Sequence, residues 1–235
     1  MTLVRPAEMV DPVWKGAYKA GGIALMIGGV LYILGIFPGL GLGPLPTTGE
    51  GFLKWAGQTT LGSATFILGV SADAFFILGG LALYLALKDV RKFGMLVAVA
   101  LWEVSIVLDL PRLFVAYSVS SLSSGYAAAT SEAQKAAYVA ASDLAFGISY
   151  GAALVVVILI LYVSTLIMSW VMLKGVFGKG IAYLGIVASI VGLIGSPYSP
   201  ALFPIGALEI AFLIGYVLLS IWGILAGYKL YKLGT

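Results

Sequence analysis

Six ionisable residues interrupt long apolar runs of this chain: Asp73, Glu103, Asp109, Arg112, Asp143 and Glu209. A charge at membrane depth costs several kcal/mol or more, so such residues normally face a protein interior or a watery cavity. Asp109 and Arg112 are three positions apart, a spacing that lets them pair on one helical face. Glu103 precedes Asp109 by six residues, about 240° around a helix, and so faces elsewhere. Pro111 lies inside the same stretch, removes a backbone donor and predicts a kink that frees the Val107 carbonyl beside Asp109.

Two kinds of chemistry suit these residues best, ahead of a site for a lipid headgroup, a quinone or a small ligand. Arg112 can tie helices together through Asp109, Asp143 or Glu209, with the other acids neutral and hydrogen-bonded, since burial disfavours a charged carboxylate. The acids can instead handle a proton or a cation, as intramembrane carboxylates do in transporters. The chain has no cysteine and no histidine. This removes disulfide and thiolate chemistry, the usual haem, copper and iron–sulfur ligands, and the commonest general base. No cofactor is therefore expected. A carboxylate-only site would suit Ca²⁺, Mg²⁺ or Mn²⁺, but bundle-type dinuclear centres use Glu-x-x-His pairs that this chain cannot supply. No metal site is assigned. Gly147-Ile148-Ser149-Tyr150-Gly151 matches the nucleophile-elbow pattern. That motif needs a strand-to-helix turn and a histidine partner, so here it is a chance match, and no catalytic residue is assigned.

The elements that must position these residues are membrane helices. Of 235 residues 61% are hydrophobic and 10% charged, where a soluble domain carries roughly 25% charged, and mean hydropathy is +1.09. A crossing takes about 20 apolar residues. The expected fold is all-α and polytopic, one membrane domain over 1–235, with six spans at about 21–37, 61–87, 93–117, 152–173, 181–194 and 205–227. Residues 1–15 read as a polar amino-terminal segment rather than a signal peptide. Proline- and glycine-rich stretches at 38–50 and 196–204 read as loops. The serine run Ser118–Gly125 reads as a turn, and Ser131-x-x-Gln134 has capping-box spacing. From Glu132 to Leu173 the pattern predicts one continuous helix of about 63 Å. Helices 3 and 4 are thus expected to extend beyond the outer face. Gly21, Gly28 and Gly35 recur every seven residues on the first span, a helix-packing pattern.

The positive-inside rule orients the bundle. Arg5, Lys15, Lys19, Lys88, Arg91, Lys92, Lys174, Lys179, Lys229 and Lys232 fall on one side, and only Lys54 and Lys135 on the other. Both termini are expected in the cytoplasm, in a multi-pass cell-membrane protein. Asp73 and Glu103 then sit at mid-depth, with Asp109, Arg112, Asp143 and Glu209 in the outward half. Basic residues at helix ends point to lipid rather than nucleic acid. The absence of Asn, with only Gln58 and Gln134, matches a tendency of hyperthermophile proteins, an expectation that melting near about 50 °C would contradict. Small size, glycine faces and the absence of cofactor ligands point first to a non-catalytic subunit of a membrane complex. It would meet lipids and other subunits or further copies. A small proton- or cation-coupled transporter or channel is the alternative.

Overall fold

The computed structural model describes residues 11–41, 46, 48–57, 60–195 and 205–235, with side chains described except at 37–41, 60–63, 65 and 205–209. The predicted loop at 196–204, and much of that at 38–50, lies outside the described residues. The eight helices described are α1 (Lys15–Gly41), α2 (Gly49–Gly57), α3 (Thr60–Leu87), α4 (Lys92–Ala128), α5 (Glu132–Tyr150), α6 (Ala152–Met172), α7 (Lys179–Ile194) and α8 (Ile205–Gly234). A short 3₁₀ turn, Pro12–Trp14, leads into α1. No strand occurs among the described residues. Helix is what an apolar chain needs in lipid, where every backbone N–H and C=O must be satisfied within the segment.

Among the described residues, five stretches are long and apolar enough to cross a membrane: Pro12–Ile36, Phe66–Leu87, Lys92–Ala128, Glu132–Met172 and Ile210–Gly234. α7 is apolar but shorter, at 16 residues. Chain order is also the order around a closed ring. α1 packs on α3, α3 on α4, α4 on α6, α6 on α7, α7 on α8, and α8 returns to α1. A core of large side chains fills the ring, with Trp102 and Trp222 6.1 Å apart and Phe76 edge-on to Trp102 at 5.6 Å. α2 and α5 pack together on α4 to form a cap with its own core, built on Phe52, Leu53, Trp55, Ala116, Val119 and Ala145.

Glycine sets how closely α1 meets its neighbours. A Cβ at Gly22 would lie 2.6 Å from the Gly227 carbonyl oxygen, and one at Gly227 would lie 2.6 Å from the Gly22 carbonyl oxygen. The α1 and α8 backbones therefore touch. On the side facing α3, a Cβ at Gly21 would overlap Ala82 and one at Gly28 would come within 2.8 Å of the Phe76 ring. Gly35 is looser, its nearest neighbour being Leu68 Cβ at 3.9 Å.

Three local expectations are corrected. The helix predicted from Glu132 to Leu173 breaks at Gly151, where φ is −86° and ψ −145°. Only glycine fits there, because a Cβ would overlap the Gly147 carbonyl. The serine run is not a turn but the last part of α4. Ser118, Ser120 and Ser124 donate their hydroxyls to carbonyls three or four residues back, so their polar groups are satisfied within the helix. Finally, α4 continues through Pro111. Val107 and Pro111 lie on its exposed face while Asp109 and Arg112 are buried, so a carbonyl freed at Val107 faces away from the acid. The Ser131–Gln134 capping box forms as its spacing predicts.

Candidate functional site: a carboxylate–arginine centre inside the ring

The ring holds a cavity of about 330 Å³, lined from α1, α3, α4, α6 and α8 and by Tyr150 of α5. Its polar wall begins on α4. Val107, Leu108 and Phe114 turn outward, which carries Asp109 and Arg112 inward on one face.

Arg112 is held from three directions. Its Nε–H donates to Asp109 Oδ1 at 2.6 Å, and its Nη1–H donates to the Ser149 carbonyl at 2.9 Å. The guanidinium carbon also lies 5.9 Å from the centre of the Tyr150 ring. Ser149 returns a bond, its hydroxyl donating to the Arg112 carbonyl at 3.2 Å. The break at Gly151 explains this arrangement. Ser149 belongs to the last turn of α5, whose carbonyls have no partner further along their own helix, and Arg112 supplies the missing donor.

Asp73 reaches the same centre from α3. Its Oδ1 accepts from the Tyr32 hydroxyl of α1 at 2.6 Å. Tyr32 is fixed by stacking on Tyr216 of α8, 5.0 Å away, and by edge contact with Phe76 at 4.9 Å. The carboxyls of Asp73 and Asp109 line the same cavity. Asp73 Oδ2 is buried with no hydrogen-bond donor. Asp73 is 1% exposed, Asp109 8% and Arg112 9%, so two buried carboxyls and one guanidinium, bonded to Asp109, stand in one cavity wall.

The remaining predicted residues lie elsewhere. Glu103 is absent from the cavity wall. Its carboxyl packs against Gly80 of α3, with Oε1 buried and unpartnered. Asp143 belongs to the cap, where its Oδ1 accepts from the Gly49 N–H at 2.5 Å while Ser142 donates to the Gly49 carbonyl at 2.8 Å. Asp143 thus caps α2 rather than joining Arg112. The side chain of Glu209 lies outside the described residues. Among the described residues no group of three or more acids could hold a metal ion. Asp143 therefore stands apart from Arg112, while Asp73 lines the cavity with Asp109 and Arg112.

Sequence reasoning missed Tyr32, Ser149, Tyr150 and Tyr216. A tyrosine deep in a span carries a hydroxyl that needs a partner when buried, a signal by which Tyr32 could have been found. Ser149 gave none, since its backbone carbonyl makes the contact.

On the cap surface, Lys54 donates to Glu50 Oε1 at 2.7 Å and the Tyr126 hydroxyl donates to the same oxygen at 3.1 Å. Lys54, and then Tyr126, hold the Glu50 carboxyl below its usual range, and Glu50 raises Lys54 in return.

Comparison with protein-family models, with curated proteins and with solved structures found no match.

Proposed function

We propose that this chain is a small multi-pass membrane transporter in which Asp73, Asp109 and Arg112 hold a proton or cation on its way through the ring. The observation that carries this reading is a cavity lined by the helices of one chain, with two carboxyls and a single guanidinium in its wall. The second buried carboxyl is neutralised by a proton or another cation, and exchange of that cation is what transport requires. Charged residues in such positions mark ion and proton routes.

The same reading takes α7 as a sixth span. The described basic residues other than Lys54, Lys135 and Arg112 lie at one end of the helices. There Lys88 sits 5.7 Å over the Trp14 ring, and a Cβ at Gly234 would lie 2.6 Å from the Lys15 carbonyl oxygen. By the positive-inside rule that end, with both termini, is cytoplasmic, and the cap of α2 and α5 is on the outside.

A subunit of a larger membrane assembly is the second reading. Its support from glycine faces is weaker than the sequence suggests, because Gly21 and Gly28 meet α3 while Gly22 and Gly29 meet α8 of the same chain. One observation still favours it. α7 has 16 residues, about 24 Å, and short spans are among those relieved by oligomerisation. Its exposed side carries Tyr183, Val187, Ile190 and Ile194.

Flux tests the transport reading. Purified protein in sealed liposomes should carry protons or monovalent cations down an imposed gradient faster than protein-free liposomes do. Equal rates, together with stoichiometric companions on a native gel of mild-detergent extracts, would replace the transporter by the subunit.

A further inference from the structure

We propose that the cavity binds a small organic ammonium ion, and that the ligand displaces one proton held between Asp73 and Asp109. This deepens the transport reading and rests on it. Each carboxyl has one committed oxygen: Asp109 Oδ1 takes the Arg112 Nε–H and Asp73 Oδ1 takes the Tyr32 hydroxyl. Asp73 Oδ2 has no donor, is fully buried and belongs to a side chain in the cavity wall. One positive charge completes the centre. A proton shared by the two carboxyls supplies it when the cavity is empty.

The surroundings select what else can supply it. Rings from six helices line the cavity, among them Tyr32 of α1, Phe76 of α3, Trp102 of α4 and Tyr216 of α8. Aromatic faces attract cations, most of all where water is excluded. The volume of about 330 Å³ corresponds to about ten water molecules of liquid, which suits a short alkyl or aryl amine. A bare divalent ion would seek six or more oxygen ligands, and no such set is present among the described residues. An anion would face two carboxyls against one guanidinium already bound to Asp109.

The exchange balances without a further reactant. The O–H bond of the protonated carboxyl pair breaks, the proton leaves to water, and an ammonium N–H donates to Asp73 Oδ2. Net charge in the cavity is unchanged. The titratable groups facing the pair are Tyr32 of α1, Arg112 of α4, Tyr150 of α5, Tyr162 of α6 and Tyr216 of α8. All of these but Arg112 are phenols, so proton release on binding reports the carboxyl pair at neutral pH.

Titration calorimetry of the detergent-solubilised protein with propylammonium, in buffers of different ionisation enthalpy, counts that proton. The expected result is saturable binding with about one proton released per ligand, since one cation replaces another at constant charge. Tetramethylammonium, which lacks an N–H, should bind more weakly. Asp73→Asn should weaken propylammonium by at least about tenfold and abolish proton release while melting as the parent does. If that variant fails to fold, Tyr216→Leu provides the second test and should weaken both ammonium ions. Absence of binding, binding without proton release, or wild-type affinity in Asp73→Asn or in folded Tyr216→Leu would each overturn the proposal. The two readings fail separately. Proton flux without amine binding removes this substrate class and leaves the transporter, whereas amine binding without flux leaves the site and removes the transporter.

Discussion

Arg112 joins two elements through one side chain, bonding Asp109 on its own helix and the Ser149 carbonyl at the end of α5. Removing it leaves a buried carboxylate and a buried carbonyl without their donors. Breaking a buried pair in this way costs about 3–5 kcal/mol. Arg112→Ala should therefore lower the melting temperature in detergent markedly, and an unchanged temperature would show that the arginine is no tie. The Asp109–Arg112 pair was legible in the sequence because its partners are three residues apart on one helix. Tyr32 and Asp73 are separated by 41 positions and Arg112 and Ser149 by 37. Such contacts depend on which helices become neighbours, which no local pattern encodes. The same holds for Asp143. Its depth along the chain suggested the polar centre, but its neighbour is the start of α2.

Among the elements, α1 and α8 touch backbone to backbone at Gly22 and Gly227. In lipid, helices associate by packing rather than by a hydrophobic driving force, so small residues at a contact matter. Gly227→Ala places a methyl group against the Gly22 carbonyl and the α1 backbone, and forcing an extra group into a packed contact costs about 1–3 kcal/mol. Melting of Gly227→Ala should show that loss, while Gly180→Ala, with nothing within 4 Å of its Cβ, should melt as the parent does. Apolar run length gave the helices themselves, because the need to satisfy backbone groups in lipid leaves few alternatives. Interruptions were harder to read. Serines that bond back to their own helix kept α4 going, and a lone glycine, Gly151, ended α5 where no proline stood.

At the scale of the whole molecule, six helices close a ring around a charged centre, and α2 with α5 covers one end. The cap is coupled to the cavity by rings, since Phe52 of α2 meets Tyr150 at 5.4 Å and Trp55 meets Phe66 at 6.3 Å. Outside, Glu50 links α2 to α4 through Tyr126. Because the folded protein holds Glu50 below its usual range, that link contributes fully above the unfolded value, about 4.3. It is lost as pH falls through the lower folded value. Acid should thus loosen the outer edge of the cap slightly, seen as faster amide exchange in α2. Glu50→Gln should show that looser edge already at neutral pH and lose the acid step, and an acid step retained in Glu50→Gln would assign the effect to another group. The central claim concerns the middle of the ring. Its most direct test is proton flux into liposomes under an imposed potential, measured side by side for the parent protein and for Asp73→Asn of equal melting temperature. Flux in the parent and none above protein-free liposomes in Asp73→Asn is the predicted result. Equal flux in both would take the carboxyl pair out of the path and contradict the account.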